Sequence, residues 1–223
     1  MNTPTKTVVL TGANTGIGLA LAQKLVAEGY HVIGTSRSGQ ITEFSHPNLT
    51  VVPLDVTQET SLAQAAAQIS QLAPRIDLLV NNAGVGSDVG TIAPERTALR
   101  DTFATNVDGT ILFTESLLPL VRDNGQIIFI SSKMGLLAFA GPDSPAYRIS
   151  KAAITMYAAI LAQRLADRAI VVTPMHPGWV QTRMGGASAP LTPEQSAEGL
   201  FRGIQARPES GKFWNVETDS LLA

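Results

Sequence analysis

The chain lacks the residues and segments on which several classes of protein depend. It has no cysteine, which excludes disulfides, thiol catalysis and cysteine metal sites. Its three histidines, His31, His46 and His176, lie far apart in sequence, and this spacing argues against a metal site. No apolar run approaches the roughly 20 residues needed to cross a bilayer. We therefore expect neither a bound metal nor a membrane segment.

Charge is scarce, and neither sign dominates. Charged residues make up 15% of the chain and the net charge is −2, so there is no basic footprint for nucleic acid. The polar residues from Met1 to Lys6 lead straight into a predicted strand, with no visible signal peptide. These features predict a soluble cytoplasmic protein that binds neither nucleic acid nor membranes.

Apolar residues, by contrast, are abundant, and they alternate between strand and helix patterns. They make up 44% of the chain, which fits one globular domain over residues 1–223. Strands alternate with helices throughout, which predicts a Rossmann-type, doubly wound, seven-stranded parallel sheet with helices on both faces. The predicted strands are Thr7–Thr11, His31–Ser36, Leu49–Leu54, Ile76–Val80, Gly125–Ile130, Ala169–Thr173 and Gly211–Val216.

A glycine-rich turn follows the first strand. It reads Gly12-Ala-Asn14-Thr15-Gly16-Ile17-Gly18 and leads into a predicted helix from Ile17 to Glu28. Glycines let a backbone approach phosphate, and a helix N-terminus offers free N–H groups and a positive dipole end. The spacing differs from the usual dinucleotide fingerprint. An ordinary turn is the alternative, but the position after a strand favours a phosphate site.

The end of the second strand bears on the choice of cofactor. Dinucleotide folds often carry an acid here, which binds the adenosine ribose, whereas an arginine suits a 2′-phosphate. This chain has Ser36 in the expected position of the acid, followed by Arg37. A guanidinium can grip a phosphate, which favours NADP(H) over NAD(H). The alternative is that Arg37 is a solvated loop charge.

Later strand ends carry further candidates for the crevice. Asp55, followed by Val56, could accept a hydrogen bond from adenine or cap a helix over residues 57–72, for which Thr57 is the better N-cap. The fourth strand ends in Asn81-Asn82-Ala83-Gly84, in which Asn81 could line the crevice or stabilise the sheet. The sixth strand runs into a rigid turn containing His176, which is interpreted as structural rather than as a base. Residues 183–192 have the composition of a mobile substrate loop.

Tyr147 and Lys151 form the candidate catalytic pair. They lie one turn apart on a predicted helix from Tyr147 to Arg168, so they share a face. An ammonium beside a phenol lowers the phenol pKa, so that the tyrosine could exchange a proton near neutral pH. Any amphipathic helix can carry this spacing by chance, so the pair needs support from elsewhere.

That support is a set of motifs that occur together and in order. They are T-G-x-x-x-G-I-G at 11–18, N-N-A-G at 81–84, Asn106, I-S-S at 130–132, Y-x-x-x-K at 147–151 and P-G at 177–178. The chain resembles the short-chain dehydrogenase/reductase family, in its compact form. The turn at 177–182 and the short C-terminus are most similar to the branch of the C-factor and the sniffer carbonyl reductases.

The resemblance implies a role for each matching residue. Tyr147 would be the general acid, Lys151 would tune it and hold the nicotinamide ribose, Ser132 would bind the substrate carbonyl, and Asn106 would hold a water. Ser132 lies fifteen residues before Tyr147, where about thirteen is common, so Ser131 and Ser144 are rivals. The cofactor would contact Gly12, Asn14, Thr15, Gly16, Ile17, Gly18, Ser36, Arg37, Asp55, Val56, Asn82, Ala83, Gly84, Tyr147, Lys151, Pro177, Gly178, Val180 and Thr182.

The resemblance also implies an activity: NADPH-dependent reduction of a ketone or aldehyde, or the reverse oxidation. The alternative is an NAD(P)-binding signalling or regulatory protein of the C-factor type. An apolar rim predicts an apolar substrate and comprises Met134, Leu136, Leu137, Phe139, Trp179 and Met184. The family often pairs through the helix of Tyr147, where Ala158, Ala159, Ala162 and Ala166 would permit close packing. A homodimer or homotetramer is therefore expected, unless these alanines pack only within the subunit.

Overall fold

The computed structural model describes residues 6–222, which form one eight-stranded sheet with helices on both faces. Residues 1–5, to which the expectation of no signal peptide refers, lie outside the described part. The strands are β1 (Thr7–Leu10), β2 (His31–Ser36), β3 (Leu49–Pro53), β4 (Ile76–Asn81), β5 (Val121–Ile130), β6 (Val171–His176), β7 (Phe213–Asn215) and β8 (Ser220–Leu222). The helices are α1 (Gly16–Ala27), α2 (Glu59–Leu72), α3 (Arg96–Phe103), α4 (Thr110–Leu117), α5 (Pro145–Arg164) and α6 (Pro193–Ala206).

The sheet confirms the predicted Rossmann topology and adds one strand to it. Its order is β3-β2-β1-β4-β5-β6-β7-β8, and the first seven strands in the chain are parallel. The eighth strand pairs antiparallel with β7 after a tight turn in which Asp219 has φ 46°. The prediction of seven strands was therefore one short, because a three-residue strand shows too little periodicity to be recognised.

Strand alternation divides the core into two layers. Val9 and Ile33 face a cluster completed by α2, α4 and α5, while Val8 and Val32 face a cluster completed by α1 and α6. Both faces of the central strands are buried, as in parallel sheets covered by crossover helices. This explains why β1 and β4 have nearly continuous apolar sequences.

Helices α2 and α5 have boundaries that differ from the predictions. The helix expected to follow Thr57 as its N-cap begins at Glu59 instead, because the Thr57 hydroxyl donates to Asp55 Oδ1 at 2.7 Å and the Thr57 amide donates to the same oxygen at 3.0 Å. The helix of Tyr147 starts at Pro145 and ends at Arg164, and a separate 3-10 turn spans Ala166–Arg168.

A π-helical turn, Ala104–Gly109, joins α3 to α4 and contains Asn106. Such turns occur frequently at functional sites. A Cβ on Gly109 would lie 2.4 Å from the carbonyl oxygen of Val56, so only glycine allows this turn to approach the end of β3 so closely. The turn thus brings Asn106 to the edge of the sheet where the parallel strands end.

The strand order reverses between β1 and β4, whose connections run to opposite sides of the sheet. In open α/β sheets the ligand crevice lies outside the carboxyl ends of the strands at this switch point. Among residues 6–222, no helix has both the length and the apolar character needed to span a membrane.

Candidate active site

A cleft of about 940 Å³ follows the carboxyl edge of the sheet across the switch point. Most of the predicted cofactor and catalytic residues line it: Gly12, Asn14, Thr15, Gly16, Ile17, Gly18, Ser36, Arg37, Asp55, Val56, Asn82, Ala83, Gly84, Tyr147, Lys151, Pro177 and Thr182. Four predicted residues do not line the wall: Asn106, Ser132, Gly178 and Val180. The residues are thus brought together at one edge, although four of them act from behind the surface.

The glycine turn is held in shape from the neighbouring strand. Asn82 Nδ2 donates to the carbonyl oxygens of Thr11, at 2.9 Å, and Gly12, at 3.1 Å. A Cβ on Gly18 would lie 2.0 Å from the Gly12 oxygen and 2.5 Å from Asn82 Nδ2. A side chain at position 18 would therefore break the turn.

The N-terminus of α1 is left open to this cleft. Thr15 precedes the helix but makes no side-chain cap, and the first turn contains no acidic residue. A Cβ built on Gly16 would lie 3.2 Å from the Thr182 methyl carbon, which places Thr182 against the start of the helix. Free N–H groups, a positive dipole end and a glycine backbone together suit phosphate. The residues present therefore fit a dinucleotide.

Arg37 is the group at the end of β2 that remains available to a ligand. The Ser36 hydroxyl is already used, since it donates to the Gln40 carbonyl at 2.9 Å and accepts from the Gln40 amide at 3.0 Å. Arg37 is exposed and lines the cleft opposite Asp55. Hydrogen bonds from Thr57, with a smaller effect of the Arg37 charge, lower the pKa of Asp55 below its ordinary value. Ser36 therefore shapes the loop, and Arg37 is free to grip an anion.

Tyr147, Ser132 and Lys151 meet at the other end of the cleft. The Ser132 side chain lies close enough to the Tyr147 hydroxyl to lower the pKa of that phenol. Lys151 Nζ lies 5.6 Å from the centre of the Tyr147 ring and donates to the Ile130 carbonyl at 2.8 Å. The three side chains form one cluster on the first turns of α5 and the end of β5.

Burial controls the pKa values of this cluster. It raises the pKa of Tyr147, and the Ser132 side chain offsets only part of that rise. It lowers the pKa of Lys151 to about 8. The direction for Tyr147 is opposite to the one expected from its spacing to Lys151, because desolvation of the phenolate outweighs its neighbours. A raised pKa keeps the phenol protonated, which is the form that can donate a proton.

The three candidate serines have different surroundings. The Ser131 hydroxyl bonds to Thr155 Oγ1 at 2.8 Å and to the Lys151 carbonyl at 3.1 Å. The Ser144 hydroxyl accepts from the Gly90 amide at 2.9 Å. Of these three, Ser132 is the one whose side chain lowers the pKa of Tyr147.

Asn106 acts from behind the cleft wall. Its side chain accepts from the Val85 amide and donates to the Val85 carbonyl, both at 2.8 Å. It also donates to the Ser150 hydroxyl at 3.0 Å, and that hydroxyl donates to the Tyr147 carbonyl at 2.8 Å. Asn106 thus links the loop after β4 to the helix turn of Tyr147.

The turn after β6 supports the loop over residues 183–192. Gly178 has φ 87°, and a Cβ there would lie 2.3 Å from Leu191 Cδ1. Val180 is buried and forms an isolated parallel bridge with Leu191. Gly178 and Val180 therefore anchor the loop from beneath, while Pro177 and Thr182 reach the cleft.

His176 lies buried behind this turn. Its Nε2 is 3.4 Å from Glu217 Oε2, which also pairs with Lys133 Nζ at 2.8 Å. Burial lowers the pKa of His176, which favours the neutral ring. The contacts of this histidine join β6 to the β7–β8 turn, in keeping with a structural role.

Several residues that line the cleft were missed by the sequence analysis. They are Thr35, Leu54, Thr57, Val85, Thr105, Ile130, Gln181, Arg183, Gly186, Ala187 and Pro193. Most flank a recognised motif, and Arg183 to Ala187 fall within the predicted substrate loop. Adjacency to the motifs is therefore the signal that could have found them. Within residues 6–222, no three His, Asp or Glu side chains are grouped so that they could hold a metal ion.

Comparisons with known proteins agree with this geometry. The family model described as short chain dehydrogenase matches residues 6–191. The short-chain dehydrogenase anuI of Penicillium roqueforti is 32% identical, over 87% of this chain and 86% of that protein. The NADPH-bound carbonyl reductase from chicken fatty liver is 30% identical with a TM-score of 0.86, covering 98% of this chain and 99% of its own. The carbonyl reductase Sniffer of D. melanogaster is 27% identical with a TM-score of 0.89, at the same coverages.

Proposed function

This chain belongs to the short-chain dehydrogenase family, and from that membership we propose that it is an NADPH-dependent carbonyl reductase. It would reduce a ketone or aldehyde to an alcohol, or catalyse the reverse oxidation. One observation carries the proposal: Tyr147 and Lys151 line the same cleft as the open glycine turn, and Ser132 lies beside Tyr147 just behind the cleft wall.

The residues of the cluster have complementary tasks. Bound NADPH would supply a hydride to the carbonyl carbon. Tyr147 Oη gives its proton to the carbonyl oxygen, and the Ser132 hydroxyl stabilises the charge that develops on that oxygen. Lys151, one helical turn from Tyr147, holds a positive charge beside the phenol and stabilises the phenolate, which is the form that accepts the alcohol proton in the reverse oxidation.

The preference for NADPH rests on Arg37. The neighbouring polar groups are occupied, because Ser36, at the end of β2, bonds to Gln40, and Asp55, just after β3, bonds to Thr57. An exposed guanidinium at this point suits a 2′-phosphate. Two of the structural neighbours support this reading: the chicken carbonyl reductase holds NADPH, and a Burkholderia multivorans relative, 27% identical, holds NADP.

The substrate is proposed to be apolar and bulky. Large apolar side chains from three loops at the catalytic end are exposed to solvent, and they include Val89, Leu137, Phe139, Trp179 and Met184. A Cβ built on Gly86 would lie 3.2 Å from Met184 Sδ, so the substrate loop already touches the loop after β4. Apolar walls with a few polar groups at the base are typical of small-molecule sites.

A homodimer is proposed, but through a surface other than the predicted alanines. Ala158 and Ala162 are buried in the core of the subunit, Ala159 is half-buried, and Ala166 is exposed but lies beyond the end of α5. The neighbouring faces of α4 and α5 instead expose Leu112, Ile149, Met156 and Ile160. Light scattering on the wild type and on Met156→Glu tests this, since a charge among these exposed apolar side chains should dissociate the dimer. A cytoplasmic location stays a prediction.

The proposed activity is tested by following NADPH consumption with a panel of aliphatic and aromatic ketones and aldehydes. We expect turnover with at least one bulky apolar carbonyl and slower turnover with NADH. Absence of NADPH binding, measured by fluorescence titration, would reject the cofactor site. Binding without turnover of any carbonyl would reject the reductase and favour a regulatory NADP-binding protein.

A further inference from the structure

Asp88 is a buried acid in the loop after β4, and no motif points to it. It is 2% exposed. Its Oδ2 accepts from the Ala146 amide at 2.6 Å, and its Oδ1 accepts from the Tyr147 amide at 3.1 Å. Among the ion pairs of residues 6–222, none involves Asp88. A buried carboxylate needs compensation, and here the compensation comes from the N-terminus of α5.

The first turn of α5 has no cap of its own. The preceding residue, Ser144, adopts a left-handed conformation with φ 56°, and its side chain makes no cap hydrogen bond. Pro145 contributes no N–H group. The next two free amides, those of Ala146 and Tyr147, are the two that Asp88 accepts. A residue 59 positions away from Tyr147 in the chain thus serves as the helix cap.

Two more bonds join the same loop to the same helix start. The Ser144 amide donates to the Thr91 carbonyl at 2.7 Å, and the Gly90 amide donates to the Ser144 hydroxyl at 2.9 Å. The loop from Asp88 to Thr91 is therefore fastened to α5 by four hydrogen bonds. Val85, which precedes this loop, is held by two hydrogen bonds with the Asn106 side chain.

Resting on the proposed function, we propose that Asp88 is a positioning residue for Tyr147. By accepting the Tyr147 amide it fixes the height and rotation of the helix turn from which the phenol projects. It also ties that turn to the loop that meets Met184 across the cleft. The proton donor and one wall of the substrate side then move as a unit, and a small displacement of a reacting group costs much in rate.

The test compares Asp88→Asn and Asp88→Ala with the wild type. Turnover is expressed per NADPH-binding site, so that misfolded protein does not count. We expect Asp88→Ala to lower kcat per site roughly tenfold to hundredfold, with KM and NADPH affinity nearly unchanged. Asp88→Asn keeps one acceptor oxygen, so its kcat per site should lie between that of the wild type and that of Asp88→Ala. Amide hydrogen exchange at Ala146 and Tyr147, measured by NMR, should accelerate in both variants.

Glu59→Gln is the matched control, because Glu59 is an exposed acid in the first turn of α2 and lies outside the cleft. It should keep full turnover. Unchanged exchange in the Asp88 variants would overturn the cap. Faster exchange with wild-type kcat per site would overturn the positioning role. If the wild type bound NADPH but reduced no carbonyl, the proposed function would be rejected, and with it the positioning role of Asp88 in catalysis. Hydrogen exchange at Ala146 and Tyr147 would still show whether Asp88 caps the helix.

Discussion

The cleft is bordered by two helix N-termini that are finished in opposite ways. At α1, no side chain caps the helix, no acid lies in the first turn, and glycines line the approach. At α5, the buried carboxylate of Asp88 fills the corresponding position. Both ends offer free N–H groups and a positive dipole end.

The difference shows how one structural feature serves two purposes. A helix N-terminus without a cap can bind a phosphate reversibly. A capped N-terminus cannot, but its first turn is held in place by the capping group. The proposed cofactor end is therefore exposed and suited to an anion, while the proposed catalytic end is buried and its first helical turn is held by Asp88. The predictions below test this contrast between the two N-termini, beginning with the variant that should lose most activity.

The largest effect is expected from Tyr147→Phe, in the first turn of α5, whose N-terminus Asp88 caps. It removes the proton donor, so carbonyl reduction should fall about 10²- to 10⁴-fold, while NADPH affinity stays nearly unchanged. Steady-state rates and fluorescence titration measure both. Tyr30→Phe serves as control, since Tyr30 packs against Phe201 on the α1–α6 side of the sheet. Substantial reduction by Tyr147→Phe would show that another group supplies the proton.

The second prediction concerns pH at the buried end. The pKa of Lys151 falls from 10.5 to about 8 on folding. Between these values the unfolded chain binds more protons, so the free energy of unfolding should rise with pH, by up to ~3 kcal/mol from this group. Lys151→Met should abolish this rise, as measured by urea unfolding at about pH 7 and about pH 10. Lys212→Met, at an exposed position, should keep it. An equal pH dependence in Lys151→Met and the wild type would mean that the lysine is solvated.

The third prediction concerns a capping residue introduced at the uncapped N-terminus of α1. Thr15→Asp places an acid at the N-cap of α1, which should stabilise the protein by about 1 kcal/mol. The same charge repels phosphate, so the Kd for NADPH should rise roughly tenfold to hundredfold. Thr15→Asn, a neutral cap of the same shape, should weaken binding far less. Wild-type affinity in Thr15→Asp would place the phosphates elsewhere.

The smallest effect is expected at the exposed end of β2. Arg37→Ala should raise the Kd for NADPH about tenfold, the value of one charged hydrogen bond, and leave NADH binding unchanged. Arg75→Ala, an exposed cation outside the cleft, controls for net charge. Equal losses for both cofactors would contradict recognition of the 2′-phosphate by Arg37.

The features that were predicted correctly from the sequence alone are those that depend on residues close together in the chain. The parallel strands follow from short apolar runs, the open turn follows from Gly12, Gly16 and Gly18, and the shared face of Tyr147 and Lys151 follows from helical spacing. Each of these rests on the conformational preferences of neighbouring residues, which a chain carries wherever it folds.

Other features depend on residues far apart in the chain and follow from packing. Packing set Ser132, among three serines, beside Tyr147, and it raised the phenol pKa where spacing alone predicted a fall. It also placed Asp88 under a helix that starts some sixty residues later. Desolvation and hydrogen-bond partners are set by packing, because the groups that exclude water or complete a bond come from separate elements.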